Sequence, residues 1–273
     1  MNSQQFYLSV QRELWESRSI YIALVAVAGL FVFGIVVNAV RLPQRLRIEE
    51  PYHLAALSLM AISFLVAVFY CLDALYGERR DRSILFWKSL PVSDSTTVLS
   101  KMSIPVVVVP LVTFAITVAT HIAMLLLGSA ILLARGTSGA PLWNQLPLTH
   151  IWRILFIHLM AGHGLWYAPI YAWFLLVSAW APRAPLLWAV LPPFAVGALE
   201  KIAFNTSHFA AIVQHRFVSG PSISGAAMGM SMESMTQFTL GELLTSPSLW
   251  IGFAVATAFL AAAVKLRRHR GPI

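Results

Sequence analysis

Charge is what this 273-residue sequence has least of. Only 11% of its residues are Asp, Glu, Lys or Arg, where soluble domains carry about a quarter. Together with 58% hydrophobic residues and a mean hydropathy of +0.74, that scarcity excludes an ordinary water-soluble domain. The chain reads as a polytopic membrane protein, in which length sets the number of spans and not of domains. Cysteine is nearly absent as well: Cys71 stands alone inside an apolar run, so no intrachain disulfide forms and the redox compartment is unreadable. No Gly-Lys dipeptide occurs, which excludes a phosphate loop. Neither Gly-x-Ser-x-Gly nor His-Glu-x-x-His occurs, so a hydrolase is not expected, nor a cofactor held by this chain. No basic-aromatic platform lies outside the apolar runs. The net charge of +8 therefore reads as topology and anionic headgroups, not nucleic acid.

What is present is a series of apolar runs near the roughly 20 residues that cross a bilayer core. Six are expected to span, at 20–40, 54–76, 103–133, 154–180, 184–204 and 247–266. The first is too long for a signal-peptide core and follows Glu13 and Glu16, so no cleavable signal is expected. The third would be about 46 Å long as a helix against a core of about 30 Å. It must tilt, bend at Pro105 or Pro110, or project into water. The fifth is the weakest, because Pro192 and Pro193 remove helix hydrogen bonds.

With the N-terminus inside, 12 of the 19 Lys and Arg residues fall on the inner side, which favours two cytoplasmic termini. Residues 3–19 place Phe6, Val10, Leu14 and Trp15 at helical spacing, with Gln11, Arg12, Glu13, Glu16 and Arg18 on the other side. That pattern is an amphipathic helix lying in the inner interface. The largest segment between spans, 205–246, is rich in Gly, Ser and Met and is expected to pack at the outer membrane face.

One stretch departs from the rest. GERRDRSILFWKSLPVSDSTTVLSK, at 77–101, carries eight charged residues among 25. Its first half reads as a helix, with Glu78 pairing Arg82 at i, i+4 and Ile84, Leu85, Trp87 and Leu90 on an apolar side beside Phe86. Leu90-Pro91 stops it, and Ser93 or Asp94 caps a second helix that runs into the third span. The result is a helical elbow with a charged face and an aromatic knob; apolar groups ringed by charge mark a contact site. An interfacial helix resting on headgroups is the alternative.

The run Glu78-Arg79-Arg80, then Phe86-Trp87-Lys88, Leu90-Pro91-Val92-Ser93 and Lys101 resembles the permease subunits of type-2 ATP-binding-cassette exporters. So does the order of parts: an Arg12-Glu13-Leu14-Trp15 helix, six spans, and a large loop before the last span. The resemblance implies an all-α membrane protein with a single permease domain, six spans and an N-terminal interfacial helix, in a bacterial inner membrane. It implies a homodimer with a translocation pathway between the copies, and a separate ATPase subunit that binds ATP and Mg. Docking on that ATPase would fall to Glu78, Arg79, Arg80, Arg82, Phe86, Trp87, Lys88 and Pro91. A stand-alone secondary transporter or channel, or a membrane scaffold or sensor, are the rival readings; paired intramembrane acids would favour the first, and only Asp73 hints at them.

The remaining polar residues have duller readings. His158 and His163 point different ways on a regular helix and have no carboxylate to complete a metal set, so interhelical hydrogen bonds are expected. Met228, Met230, Met232 and Met235, with His208 and His215 upstream, offer thioethers for Cu(I), though adaptable packing is the simpler role. Asp73 is expected to pair with Arg79 or Arg80, and Glu200 with Lys201, unless that pair lines the outer mouth. Trp166, Tyr167, Tyr171 and Trp173 fit an aromatic belt or a hydrophobic path equally well.

Overall fold

The computed structural model describes residues 3–16, 18–41, 50–89, 92–136, 138–218 and 240–269. Among them the chain is all-helical, without strands, and five helices are long and apolar enough to cross a membrane. Leu90, Pro91 and the four methionines at 228–235 lie outside the described residues.

The chain opens with α1 (Ser3–Glu16), α2 (Ser19–Arg41) and α3 (Glu50–Ala74). The elbow follows as α4 (Tyr76–Arg80), α5 (Ser83–Ser89) and α6 (Asp94–Ser103). Helix α6 continues through a π-helical segment, π1 (Ile104–Val108), into α7 (Val109–Ala134). So the over-long third run both projects and rearranges at its prolines. Pro105 and Pro110 lack the N–H groups that would serve Lys101 and Val106. The Ile104 N–H takes the Lys101 carbonyl instead, and the Val109 N–H reaches back five residues to Ile104, which widens the turn.

After α8 (Ala140–Gln145) comes the largest departure from expectation. The fourth run is not one regular helix but α9 (Leu148–Ile157), π2 (His158–Trp166) and α10 (Ala168–Trp180), with the chain turning at Tyr167 ahead of Pro169. At 13 residues, α10 is too short to count among the five. Conversely, α11 (Pro185–Phe204) continues through Pro192 and Pro193. The chain closes with α12 (His208–Val218), α13 (Leu240–Thr245) and α14 (Pro247–His269).

The centre is built on α10 and π2. Tyr167, Tyr171, Ala172 and Leu175 are fully buried against Ala67 and Cys71 of α3, Ile104, Val109, and Leu249 and Ala256 of α14. Small residues (Gly252, Ala256, Ala263) make the buried side of α14, which lets helix backbones approach where lipid removes the hydrophobic drive between helices. The two wide segments also meet: a Cβ at Gly164 of π2 would lie 2.5 Å from the Val106 carbonyl oxygen of π1, so only glycine fits. Outside this centre the helices are greasy. Phe33 of α2 and Phe194 and Ile202 of α11 are exposed, the reverse of a water-soluble surface and consistent with a lipid surround.

Candidate functional site: an elbow seated on a buried ion cluster

The elbow is broken in one more place than its sequence suggests. Arg82 has φ of +59°, the left-handed region that non-glycine residues rarely enter, and it separates α4 from α5. The expected Glu78–Arg82 pair therefore does not form. Glu78 turns inward and pairs with Arg267, at the end of α14, and with Lys101 of α6 at 3.1 Å.

Those contacts belong to a cluster that joins five elements, from α1 to α14. Lys101 Nζ donates to Glu13 Oε1 at 2.8 Å. Arg12 donates to the same oxygen, and the Tyr70 hydroxyl donates to Glu13 Oε2 at 2.9 Å. Arg267 Nε donates to Asp94 Oδ1 at 3.1 Å. Lys101 and Glu13 are each 2% exposed, and Arg267 is 4% exposed. Three inner acids (Glu13, Glu78, Asp94) meet three bases (Arg12, Lys101, Arg267), so the formal charge of the inner members closes to zero; the exposed Glu16 reaches Arg12 from the rim at 3.7 Å. A buried charge costs several kcal/mol unless paired and hydrogen-bonded; here each acid has a basic partner. Burial alone would push the Glu13 carboxyl up, but the Lys101 charge and hydrogen bond, with Arg12 and Tyr70, hold it below its ordinary value.

Helix α1 is thus more than a surface helix. Val10 and Leu14 pack on the central cluster, and Glu13, expected on the polar side, is buried. Trp15 is 71% exposed.

The expected docking residues divide into two groups. Arg79 is not a surface charge: it is buried and donates to the carbonyls of Ala179 (2.9 Å) and Ala181 (3.2 Å) at the end of α10, where the helix dipole favours a cation. Glu78 sits in the ion cluster. Arg80 is exposed, close to Asp81 (3.0 Å) and Asp73 (3.8 Å), as expected for Asp73. Arg82 and Lys88 are exposed at the break and the end of α5. Ile84 is buried and roots α5, while Leu85 and Phe86 stand 58% and 60% exposed. Trp87 is half-buried: the Arg12 guanidinium lies over its ring, 3.6 Å from the centroid, and Phe86 meets it edge-on. Ser93 caps α6, its Oγ accepting from the Thr96 N–H at 3.1 Å; Asp94 is drawn instead to Arg267.

The other candidates resolve into structure. The Tyr171 hydroxyl donates to His163 Nδ1 (3.1 Å), whose Nε2 faces Ser63 Oγ at 3.1 Å; Ser63 donates to the Met60 carbonyl at 2.8 Å. This interhelical chain spends the serine proton on backbone. His158 bonds within its own helix, to the Ile154 carbonyl. No cluster of three potential metal ligands occurs among the described residues. Glu200 does not pair with Lys201. It caps α12, accepting from the His208 and Phe209 N–H groups at 2.7 and 2.8 Å and from the Thr206 hydroxyl at 2.8 Å. Trp173 donates to the Ala189 carbonyl.

The ion cluster escaped sequence reasoning because Glu13, Glu78, Lys101 and Arg267 are separated by up to 254 positions. One signal was available: Lys101 and Lys265 to Arg267 border apolar runs, where an unpaired charge is costly. The chain matches no family model, no curated protein and no solved structure.

Proposed function

We propose that the chain is the permease subunit of an ATP-driven exporter of the ATP-binding-cassette type, with α4–α6 as the element on which a separate ATPase docks. In this reading the run 148–180 is the sixth span, α1 lies in the inner interface, and both termini face the cytoplasm. Two copies enclose the pathway. One observation carries the proposal. Leu85 and Phe86 project between exposed Arg80, Arg82 and Lys88, on a base that Glu78 and Arg79 fix to α1, α6, α10 and α14. A tip that only rested on headgroups would have no need of that base.

The division of labour follows from burial. Leu85 and Phe86 are the apolar anchors, since interface energy concentrates in a few large side chains that become fully buried. Arg80, Arg82 and Lys88 steer the approach of an acidic rim. Trp87, beneath Arg12, passes movement of α5 to α1. The cluster then spreads it to α6, the head of the α6–π1–α7 run, and to α14. ATP binding in the partner would rock the permeases through this base. The alternative of a transporter working alone finds no support in Asp73, which is exposed and paired to Arg80.

Co-expression with any ATP-binding-cassette ATPase found in a neighbouring reading frame tests the reading. The complex should elute as two permeases plus two ATPases, and the permease alone should hydrolyse no ATP. A monomer that transports substrate in vesicles without a partner rules it out.

A further inference from the structure

Helix α12, at the other end of α14 from the ion cluster, is held in an unusual way. Arg216 reaches across to the first turns of α14, where its Nη1 donates to the Ser248 carbonyl at 2.9 Å. The guanidinium comes up against Gly252 with its Nη2 foremost. A Cβ at that position would overlap Nη2 and come within 2.8 Å of Cζ, so the absence of a side chain at 252 is what makes the seat. The face of Trp166, in π2, covers the cation 4.4 Å away, and the Trp166 indole N–H donates to the Arg216 backbone carbonyl at 2.8 Å. Next in sequence, Phe217 meets the rings of Phe64 and Tyr167.

The seat is shaped for arginine but does not neutralise it. No carboxylate among the described residues pairs with Arg216, and its Nη2 is shielded from water without a hydrogen-bond partner. Burial pulls the guanidinium below its ordinary pKa, the direction expected of a cation that has lost water. It also sits near the N-terminal end of α14, where the helix dipole disfavours a positive charge. Every base in the inner cluster, by contrast, has an acid beside it. Seats with matched shape and unmatched charge are cheap to leave, because the departing cation regains its water.

We propose that Arg216 is a releasable latch: α12 closes over the aromatic cluster of π2 and α3 when Arg216 occupies the Gly252 seat, and swings free when it leaves. The hinge is at the far end of α12, where Glu200 and the left-handed Asn205 fix the turn out of α11. The latch as a device stands apart from the transport reading; only its use as the outer gate of a transport cycle rests on that reading.

Amide hydrogen exchange on the purified protein in nanodiscs tests it, with both faces open to solvent so that topology does not enter. An 11-residue helix is marginal alone in water, so an undocked α12 loses protection. Arg216→Met and Gly252→Leu should each speed exchange across 208–218 by about tenfold, the scale of a charge-assisted hydrogen bond and its packing. Residues 260–269 of α14 should stay protected in both. Unchanged exchange across 208–218 in Arg216→Met overturns the latch. Should Gly252→Leu also expose 260–269, it has unfolded the bundle, and Arg216→Met alone decides. A second measurement separates the two claims: with the partner ATPase and ATP, exchange across 208–218 in the wild type should accelerate. A latch that responds to Arg216→Met but not to ATP refutes the gate and leaves the device.

Discussion

The two ends of α14 are held by opposite means. At its C-terminal end Arg267 enters a cluster whose inner members are three acids and three bases, each charge answered within 3.8 Å, with the exposed Glu16 at its rim. At its N-terminal end one arginine lies in a seat made of a missing side chain, a carbonyl and an indole face. The first is closed by opposite charges, the second by shape and by neutral dipoles alone. The difference assigns their mechanical roles. A neutral cluster resists the loss of any member, because the remaining charge is stranded out of water. A latch with no acid partner among the described residues strands none of them when it opens. So the end that carries the elbow behaves as a rigid base, and the opposite end is free to move against it.

Stranding a charge gives the largest effect expected. Lys101→Met leaves Glu13 and Glu78 with only the half-buried Arg12 between them and the inner cluster one negative charge in excess, and should destabilise the protein by about 3–5 kcal/mol, read as a fall in thermal midpoint in nanodiscs. Adding Glu13→Gln should recover part of that loss, because Glu78 keeps Arg267. A double variant that costs the full sum would mean that the cluster is not cooperative.

Trp87→Ala comes next. It removes the face under Arg12 and should cost about 1 kcal/mol, the scale of a partly desolvated cation–π contact. Hydrogen exchange should quicken across 83–89 and in α1, and coupling should suffer more than assembly. Exchange confined to 83–89 would sever the route through α1.

The pH dependence is subtler. The folded state holds Glu13 below its ordinary value of 4.5. The stability it contributes is therefore fully present above pH 4.5 and lost as pH falls through the lowered folded value. The thermal midpoint should drop with acid over that window, and Glu13→Gln should flatten the drop. Equal slopes in both proteins would remove Glu13 from the linkage.

Least affected should be Arg80→Ala. An exposed charge already neighboured by Asp73 and Asp81 should change the ATPase on-rate and its salt dependence, and leave the affinity almost unchanged.

How much of this was legible in the sequence depended on range. Local signals held: five apolar runs, the Ser93 cap and the Asp73–Arg80 pair. Local signals also misled where a distant partner outbid them. Glu78 and Arg82 have the spacing of a helical pair, but Arg267, 189 positions away, takes the carboxylate and Arg82 leaves the helical region. The fourth run failed for another reason. A 3.6-residue period was assumed through His158–Trp166, and a π-helix has a wider turn, so neither helix length nor the facing of its side chains follows from the regular count. Glycine at 164 and 252 looked like ordinary membrane-helix composition. Their meaning lies in the Val106 carbonyl and the Arg216 side chain that press on them, and neither is adjacent in sequence.

The coupling role of the elbow is tested most directly by binding. The wild-type protein and the Phe86→Ala variant, each in nanodiscs, would be titrated with the proposed partner ATPase. Phe86 touches the bundle little and is 60% exposed, so its truncation should leave the thermal midpoint unchanged. Docking through the elbow predicts that affinity falls by at least about tenfold, as truncation of an interface anchor does. An unchanged affinity would contradict docking at this tip and leave α5 as a helix lying on lipid.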